Sequence, residues 1–172
     1  MLRSPVLPLS GLKGWGAQLA FIVAAVGLPA LMHMTGAPVR WLLPMHWPVL
    51  LAGILYGWRG GLLIGALSPA SNWLITGFPL PPVLPAMTLE LATYGLVAGL
   101  LREKLNWNGF SATAGALVAG RLVFIATIWL SAGYQGAFGA YLVAAMTPGL
   151  VVGAVQVGAM GLVGLSKDKM EV

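Results

Sequence analysis

The sequence predicts an all-α integral membrane protein with six transmembrane helices and with its N- and C-termini in the cytoplasm. Three observations carry this prediction. Only 8% of the residues are charged and 59% are hydrophobic, whereas a soluble domain carries about 25% charged residues. The apolar residues form long runs, and about 20 such residues cross a bilayer as a helix. The basic residues stand singly between these runs, as loop charges do in a membrane protein.

Six apolar runs are long enough, or nearly so, to span the hydrocarbon layer. The second and third runs are short and meet at the segment YGWRGG, where we expect a tight cytoplasmic turn. Pro and Gly are concentrated in residues 77–85, which predicts an ordered loop. We expect Pro148 to kink the last run or to end a short segment before it. The chain is predicted to form a single membrane domain, residues 1–172, with spans at about 15–34, 42–57, 60–77, 85–102, 110–132 and 138–165.

The basic residues also predict the direction in which the chain crosses the membrane. With both termini in the cytoplasm, Arg40 is the only basic residue in the outer segments. The inner segments then carry Arg3, Lys13, Arg59, Arg102, Lys104, Lys167 and Lys169. This asymmetry follows the positive-inside rule, and it favours an even number of spans.

Several kinds of chemistry have no residues to support them. The chain has no Cys, which excludes disulfides, Cys metal sites and a thiol nucleophile. Its two histidines, His33 and His46, lack metal-ligand spacing. There is no phosphate-binding loop and no nucleophile elbow, so we expect no enzyme activity and no catalytic residue. No cofactor is predicted, although a haem- or quinone-binding membrane subunit is the alternative, with haem held by one His and one Met.

Polar residues at membrane depth indicate a binding site. His46, Asn72 and Glu90 each lie about four or five residues from the outer end of a predicted span, at about 1.5 Å per residue. Arg121 lies near the middle of the fifth span, and its long side chain can reach the same level. Gln135 falls in the outer loop before the last span. Since ionisable residues at this depth usually face a cavity or one another, the sequence predicts a small-molecule pocket open to the exterior.

Each of these residues also has a structural interpretation. Glu90 and Arg121 can neutralise each other as a buried ion pair. His46 can cap the second helix at the membrane surface instead of contacting a ligand. Asn72 can bond a backbone group that Pro69 leaves free. The sequence alone leaves these alternatives open.

Small residues are spaced at intervals of four in several spans. Most such pairs, including Gly61 with Gly65 and Gly95 with Gly99, predict close packing between helices of the bundle. The first span differs, because Ala20 and Ala24 form a smooth face. That face predicts docking on a helix of a partner protein.

The run PMHWPVLLAGILYGWRGGLLIGALSPASNWLITGFP, followed by ELATYGLVAGLL, resembles the substrate-binding S subunits of energy-coupling-factor (ECF) vitamin transporters. The resemblance covers about residues 42–102. It rests also on the Pro-rich outer loop, the step from Ser68 to Pro69, and the E-x-x-x-Y-G pattern from Glu90 to Gly95. The contact residues of no single vitamin subgroup are matched, so the resemblance does not identify the substrate.

The resemblance implies a function for the whole chain. A six-helix protein in the cell membrane of a prokaryote would capture a vitamin or a related small molecule from outside. Transport would require a transmembrane coupling subunit and two cytoplasmic ATPase subunits. The binding pocket would map near Asn72, Glu90, Arg121 and Gln135, and the first helix would dock on the coupling subunit through its two alanines.

Overall fold

A computed structural model describes residues 6–131 and 138–170, and within these residues the chain forms helices and no strands. The prediction of an all-α protein is therefore confirmed for the described part of the chain. The helices are α1 (Gly11–Thr35), α2 (Val39–Leu42), α3 (His46–Thr76), α4 (Leu84–Glu103), α5 (Gly109–Ser131) and α6 (Phe138–Met170).

Five stretches of these helices are long and apolar enough to cross a membrane: Gly11–Thr35, His46–Thr76, Leu84–Glu103, Gly109–Leu130 and Met146–Asp168. The chain is thus a multi-pass membrane protein. The sequence predicts six spans, and the second and third of them correspond to the two arms of α3 on either side of Gly57. The count of six, and the side on which the termini lie, remain predictions. Helix α6 continues through Pro148, so the expectation that this proline ends a short separate segment is wrong.

Helix α3 reverses direction at Gly57. The backbone there has φ 73° and ψ −170°, a conformation that only glycine adopts without strain. The Cα of Gly53 lies 2.8 Å from the position that a Cβ on Gly61 would occupy, although eight residues of straight helix extend about 12 Å. The arms 46–56 and 58–76 of α3 are therefore antiparallel neighbours. The reversal falls inside the segment YGWRGG, where a tight turn is expected.

Helix α4 packs against α3 with almost no space between the two backbones. A Cβ on Gly95 would lie 2.0 Å from the carbonyl oxygen of Gly61, and one on Gly99 would lie 2.2 Å from the backbone nitrogen of Trp58. At the reversal, that backbone N–H of Trp58 donates to Oε2 of Glu103 at 3.4 Å. Glycine at these positions allows the close approach that packing in lipid requires.

Both ends of the described chain lie at the end of the bundle where α3 reverses. Near the N-terminus, the backbone N–H of Leu7 donates to the carbonyl oxygen of Leu55 at 2.6 Å. Near the C-terminus, Arg102 of α4 forms an ion pair with Asp168 and donates to the carbonyl oxygen of Gly164. Helix α2 and the loop between α3 and α4 therefore form the opposite end.

The basic residues follow this division. Lys13, Arg59, Lys104 and Lys167 belong to the end that holds the reversal of α3, and Arg40 belongs to α2 at the other end. Arg3 lies outside the described residues. The structure thus collects most of the basic residues at one end, as the positive-inside pattern requires.

The surface between the two ends is apolar. Leu12, Met34 and Leu130 expose more than three quarters of their side-chain area, which suits contact with lipid. The core consists of buried residues such as Leu50, Ile54, Ile64, Leu91 and Tyr94. This arrangement leaves polar side chains in the interior with few partners, and these mark the candidate site.

Candidate functional site

A cavity of about 430 Å³ opens at the end of the bundle opposite the reversal of α3. Its volume falls in the range of small-molecule sites, roughly 300–1,000 Å³. It lies between α1, α2, the two ends of α3, and the loop before α4. The residues that line it are mostly apolar: Pro29, His33, Val39, Leu43, Pro44, Met45, His46, Asn72, Phe78, Pro79, Leu80, Val83 and Met87.

The buried side chain of His46 forms part of the wall of this cavity. His46 is the first residue of α3, and its backbone N–H donates to the carbonyl oxygen of Leu43 at 3.0 Å. The imidazole packs against the Tyr94 ring with the two centroids 5.4 Å apart. Neither of its ring nitrogens has a partner among the described residues, and no side-chain bond caps the helix. The interpretation of His46 as a capping residue is therefore wrong.

Asn72 approaches the same cavity from the other end of α3. Its Nδ2 donates to the carbonyl oxygen of Phe78 at 2.8 Å, and this bond ties the end of α3 to the following loop. Its Oδ1 is buried and has no partner in the described part of the chain. The expectation that Asn72 bonds a backbone group freed by Pro69 is wrong, because the amide reaches the loop instead.

The loop before α4 contributes one member of an aromatic pair that lines the cavity. Phe78 stacks on His33 of α1 with the ring centroids 4.9 Å apart and the planes 18° from parallel. The sequence predicts no role for His33, whose spacing from His46 does not suit a metal site. Its position near the outer end of α1, at a depth similar to that of His46, is the signal that could have drawn attention to it. No comparable signal marked Phe78, apart from its place in the Pro-rich loop.

Glu90 and Arg121 form an ion pair beside the cavity. The Arg121 Nη1 lies 3.0 Å from Oε1 of Glu90, and the Tyr94 hydroxyl donates to the same oxygen at 2.7 Å. The guanidinium lies over Gly149 of α6, where a Cβ would be 2.2 Å from Nη2. Neither charged residue lines the cavity. They are linked to it through Tyr94, whose ring packs on His46.

The predicted site residues thus separate into groups. His46 and Asn72 share the cavity, and Glu90 and Arg121 pair with each other behind it. Gln135 lies outside the described residues. Two further glutamines, Gln18 on α1 and Gln156 on α6, are also buried without partners among the described residues, but neither lines this cavity.

The face of α1 that carries the two alanines points away from the bundle. Ala20 is exposed and Ala24 is half-buried. A Cβ on the neighbouring Gly16 or Gly27 would meet nothing within 4 Å. This face of α1 therefore presents small side chains to the outside.

Within residues 6–131 and 138–170, no group of three or more His, Asp or Glu side chains is arranged to hold a metal ion. The two histidines of the cavity, His33 and His46, have no carboxylate among the other residues that line it. The chemistry available in this part of the structure is hydrogen bonding and apolar contact.

Comparison with known proteins identifies the family. The family described as ECF transporter, substrate-specific component, matches residues 17–163. No curated protein and no solved structure matches the chain. The family match extends well beyond the segment 42–102 on which the resemblance rests, and it describes a transport component and not an enzyme. The chain belongs to the family of substrate-specific components of ECF transporters.

Proposed function

We propose that this chain captures a vitamin or a related small molecule from outside a prokaryotic cell and holds it in the cavity between α1, α2 and α3. The observation that carries the proposal is the pair His46 and Asn72. Both line one cavity of about 430 Å³, and both have buried polar atoms without partners among the described residues. Because buried polar groups in folded proteins are nearly always hydrogen-bonded, a bound molecule would complete this site.

The residues contribute in different ways. His46 and Asn72 bind the substrate directly. Glu90 and Arg121 position Tyr94, whose ring supports the imidazole of His46. Gln135 is proposed as a substrate contact from its place in the predicted outer loop and from the family resemblance.

Delivery of the substrate would use separate proteins. We propose that a transmembrane coupling subunit docks on the face of α1 that contains Ala20 and Ala24, and that two cytoplasmic ATPase subunits drive transport. The small side chains on this face support the proposal, because they let a partner helix approach closely in lipid.

The cavity end would face the exterior, with both termini in the cytoplasm. The collection of basic residues at the opposite end supports this orientation. Since the chain contains no Cys, single cysteines introduced for Ala37 and Lys104 can be labelled separately. Labelling of A37C from outside and of K104C only after permeabilisation is expected, and the reverse pattern would contradict the orientation.

The proposed site is tested by ligand binding. Molecules that co-purify with the detergent-solubilised protein are identified by mass spectrometry, and a panel of vitamins is titrated calorimetrically. His46→Phe keeps a ring against Tyr94 but removes both nitrogens, and Asn72→Leu removes the amide. Each is expected to weaken binding about tenfold or more, the cost of one lost buried hydrogen bond.

Leu74→Phe is the matched control, because Leu74 lies on α3 two residues after Asn72 and is 75% exposed. It should leave affinity unchanged. If no small molecule co-purifies and none of the panel binds, the proposed function is wrong. If binding persists unchanged in both cavity variants, the site lies elsewhere.

A further inference from the structure

We propose that the substrate held in this cavity is an uncharged molecule that presents an amide-like edge, an N–H beside a C=O. This inference rests on the proposed function and names the chemical class of its substrate. A carboxylate, phosphate or ammonium group would not enter the cavity.

The first argument is the absence of a counter-charge. None of the described side chains that line the cavity carries a formal charge. Behind the cavity, Nη1 of Arg121 lies 3.0 Å from Oε1 of Glu90, so these two charged residues pair with each other. Taking an unpaired charge out of water costs far more than hydrogen bonds to neutral groups return. A ligand charge buried here would therefore have no compensation.

The sequence extends this argument to the segments that are predicted to lie at the outer ends of the spans. Residues 33–46 contain one charged residue, Arg40, and residues 122–150 contain none. Residues 72–89 contain none either. Arg40 is the charged residue in these ranges, and its replacement provides a direct test.

The second argument is the set of hydrogen-bonding groups. A neutral imidazole offers one donor and one acceptor, and the amide oxygen of Asn72 is an acceptor. The groups that complement them are one carbonyl and one or two N–H groups. Amides, ureido rings, lactams and pyrimidinones provide both on one uncharged edge. Alcohols and ethers match this set less completely, because they lack an N–H next to a carbonyl.

The third argument is the apolar remainder of the cavity. Phe78 and His33 form a stacked aromatic wall, and Leu43, Leu80 and Met87 contribute aliphatic surface. Such walls favour a ring or a short hydrocarbon body. The substrate then has an apolar body and one polar, uncharged edge that reaches His46 and Asn72.

The experiment compares matched neutral and charged probes with the purified full-length protein. Nicotinamide is paired with nicotinate, panthenol with pantothenate, and biotin amide with biotin, each titrated calorimetrically. The charge of any co-purifying molecule is determined in parallel by mass spectrometry. We expect the neutral member of any pair that binds to bind about tenfold or more tightly than its charged partner, and any co-purifying molecule to be neutral with an amide-like edge.

Two variants sharpen the test. Asn72→Asp places a carboxylate in the cavity wall and should weaken binding of the neutral probe about tenfold or more. Arg40→Gln should leave its affinity unchanged. A charged probe that binds equally or more tightly, a charged co-purifying molecule, or loss of binding in Arg40→Gln would overturn the inference while leaving the proposed function intact. Failure to bind any small molecule would instead contradict the proposed function.

Discussion

At the scale of single residues, Glu90 is the polar group whose interpretation the structure changes most. One carboxylate oxygen accepts from both Arg121 and Tyr94, at 3.0 Å and 2.7 Å. The carboxylate is almost fully buried, whereas the guanidinium is one fifth exposed. A buried charge that is paired in this way is costly to separate from its partner, although the pair as a whole adds little stability. Loss of the Glu90 charge is therefore expected to affect the stability of the bundle first.

Glu90→Gln is expected to lower the free energy of unfolding by about 3 kcal/mol, because it leaves the guanidinium of Arg121 without a counter-charge inside the bundle. The double variant Glu90→Gln with Arg121→Met should recover most of this loss, since it removes both charges. Thermal unfolding in detergent, followed by tryptophan fluorescence, measures both effects.

Thr93→Val is the matched control on the same helix, because the Thr93 hydroxyl only donates to Leu89 of its own helix at 2.7 Å. It should change the melting temperature little. An unchanged melting temperature in Glu90→Gln, together with lost ligand binding, would mean that the carboxylate serves the substrate and not the fold.

Sequence reasoning identified the polar residues of this end but not their partners. Counting residues from the span ends grouped His46, Asn72 and Glu90 at one depth, because depth in a helix follows directly from its rise per residue. Of these three, His46 and Asn72 line the cavity and Glu90 does not. Whether Glu90 paired with Arg121 or contacted a ligand depended on side-chain positions across two helices, which no local pattern encodes. The stacking of Phe78 on His33 depends on the path of a loop, and it was missed for the same reason.

At the scale of elements, the close approach of α3 and α4 depends on glycine. The carbonyl oxygen of Leu91 lies 2.2 Å from where a Cβ on Gly65 would stand, and that of Gly95 lies 2.2 Å from a Cβ position on Gly61. Backbone atoms cannot turn aside as the end of a flexible side chain can. The two helices must therefore separate if either glycine gains a side chain.

Gly95→Ala is expected to lower the free energy of unfolding by about 2 kcal/mol, within the range for overpacked cores. Its Cβ would lie 2.0 Å from a backbone oxygen of α3. Gly158→Ala on α6 is the matched control, because its Cβ would meet nothing within 4 Å. The free energy of unfolding of this control is expected to stay unchanged or to rise by up to about 1 kcal/mol, because alanine has a higher helix propensity than glycine.

Chemical or thermal unfolding of the two variants side by side provides the comparison. Equal stability of Gly95→Ala and Gly158→Ala would show that α3 and α4 can move apart freely, and would contradict the close packing described above.

Apolar run length predicted where the spans lie. It did not predict whether each arm of α3 crosses the membrane. The predicted second span ends near Gly57 and the predicted third span begins just after it, and the segment YGWRGG indicated a turn there. The arm 46–56 extends only about 16 Å, short of the roughly 30 Å hydrocarbon layer. Run length alone therefore could not establish whether this arm counts as a complete span.

At the scale of the whole molecule, the two ends and the sides of the bundle have different properties. One end holds the cavity, the other collects basic residues, and the sides are apolar. Along these sides, α1 exposes Gly16, Ala20 and Gly27 between larger apolar residues. For a substrate-specific component that works with other membrane subunits, this is the face on which we expect a partner helix to pack.

Ala20→Leu is expected to separate binding from transport. Ala20 is exposed on α1, and a Cβ on Gly16, one turn before it, would meet nothing within 4 Å, so the larger side chain should not disturb the fold or the cavity. Substrate affinity and melting temperature should stay unchanged. Uptake by cells that contain the coupling and ATPase subunits should fall about tenfold, equivalent to ~1.4 kcal/mol of lost helix packing.

Val118→Leu is the matched control, because Val118 is 63% exposed on α5 and away from the proposed docking face. It enlarges a lipid-facing side chain without touching α1, so uptake and affinity should both be retained. Unchanged uptake in Ala20→Leu would place the partner on another helix. An equal loss of affinity and uptake would mean that this position acts through the cavity, because a docking residue affects only the step that follows binding.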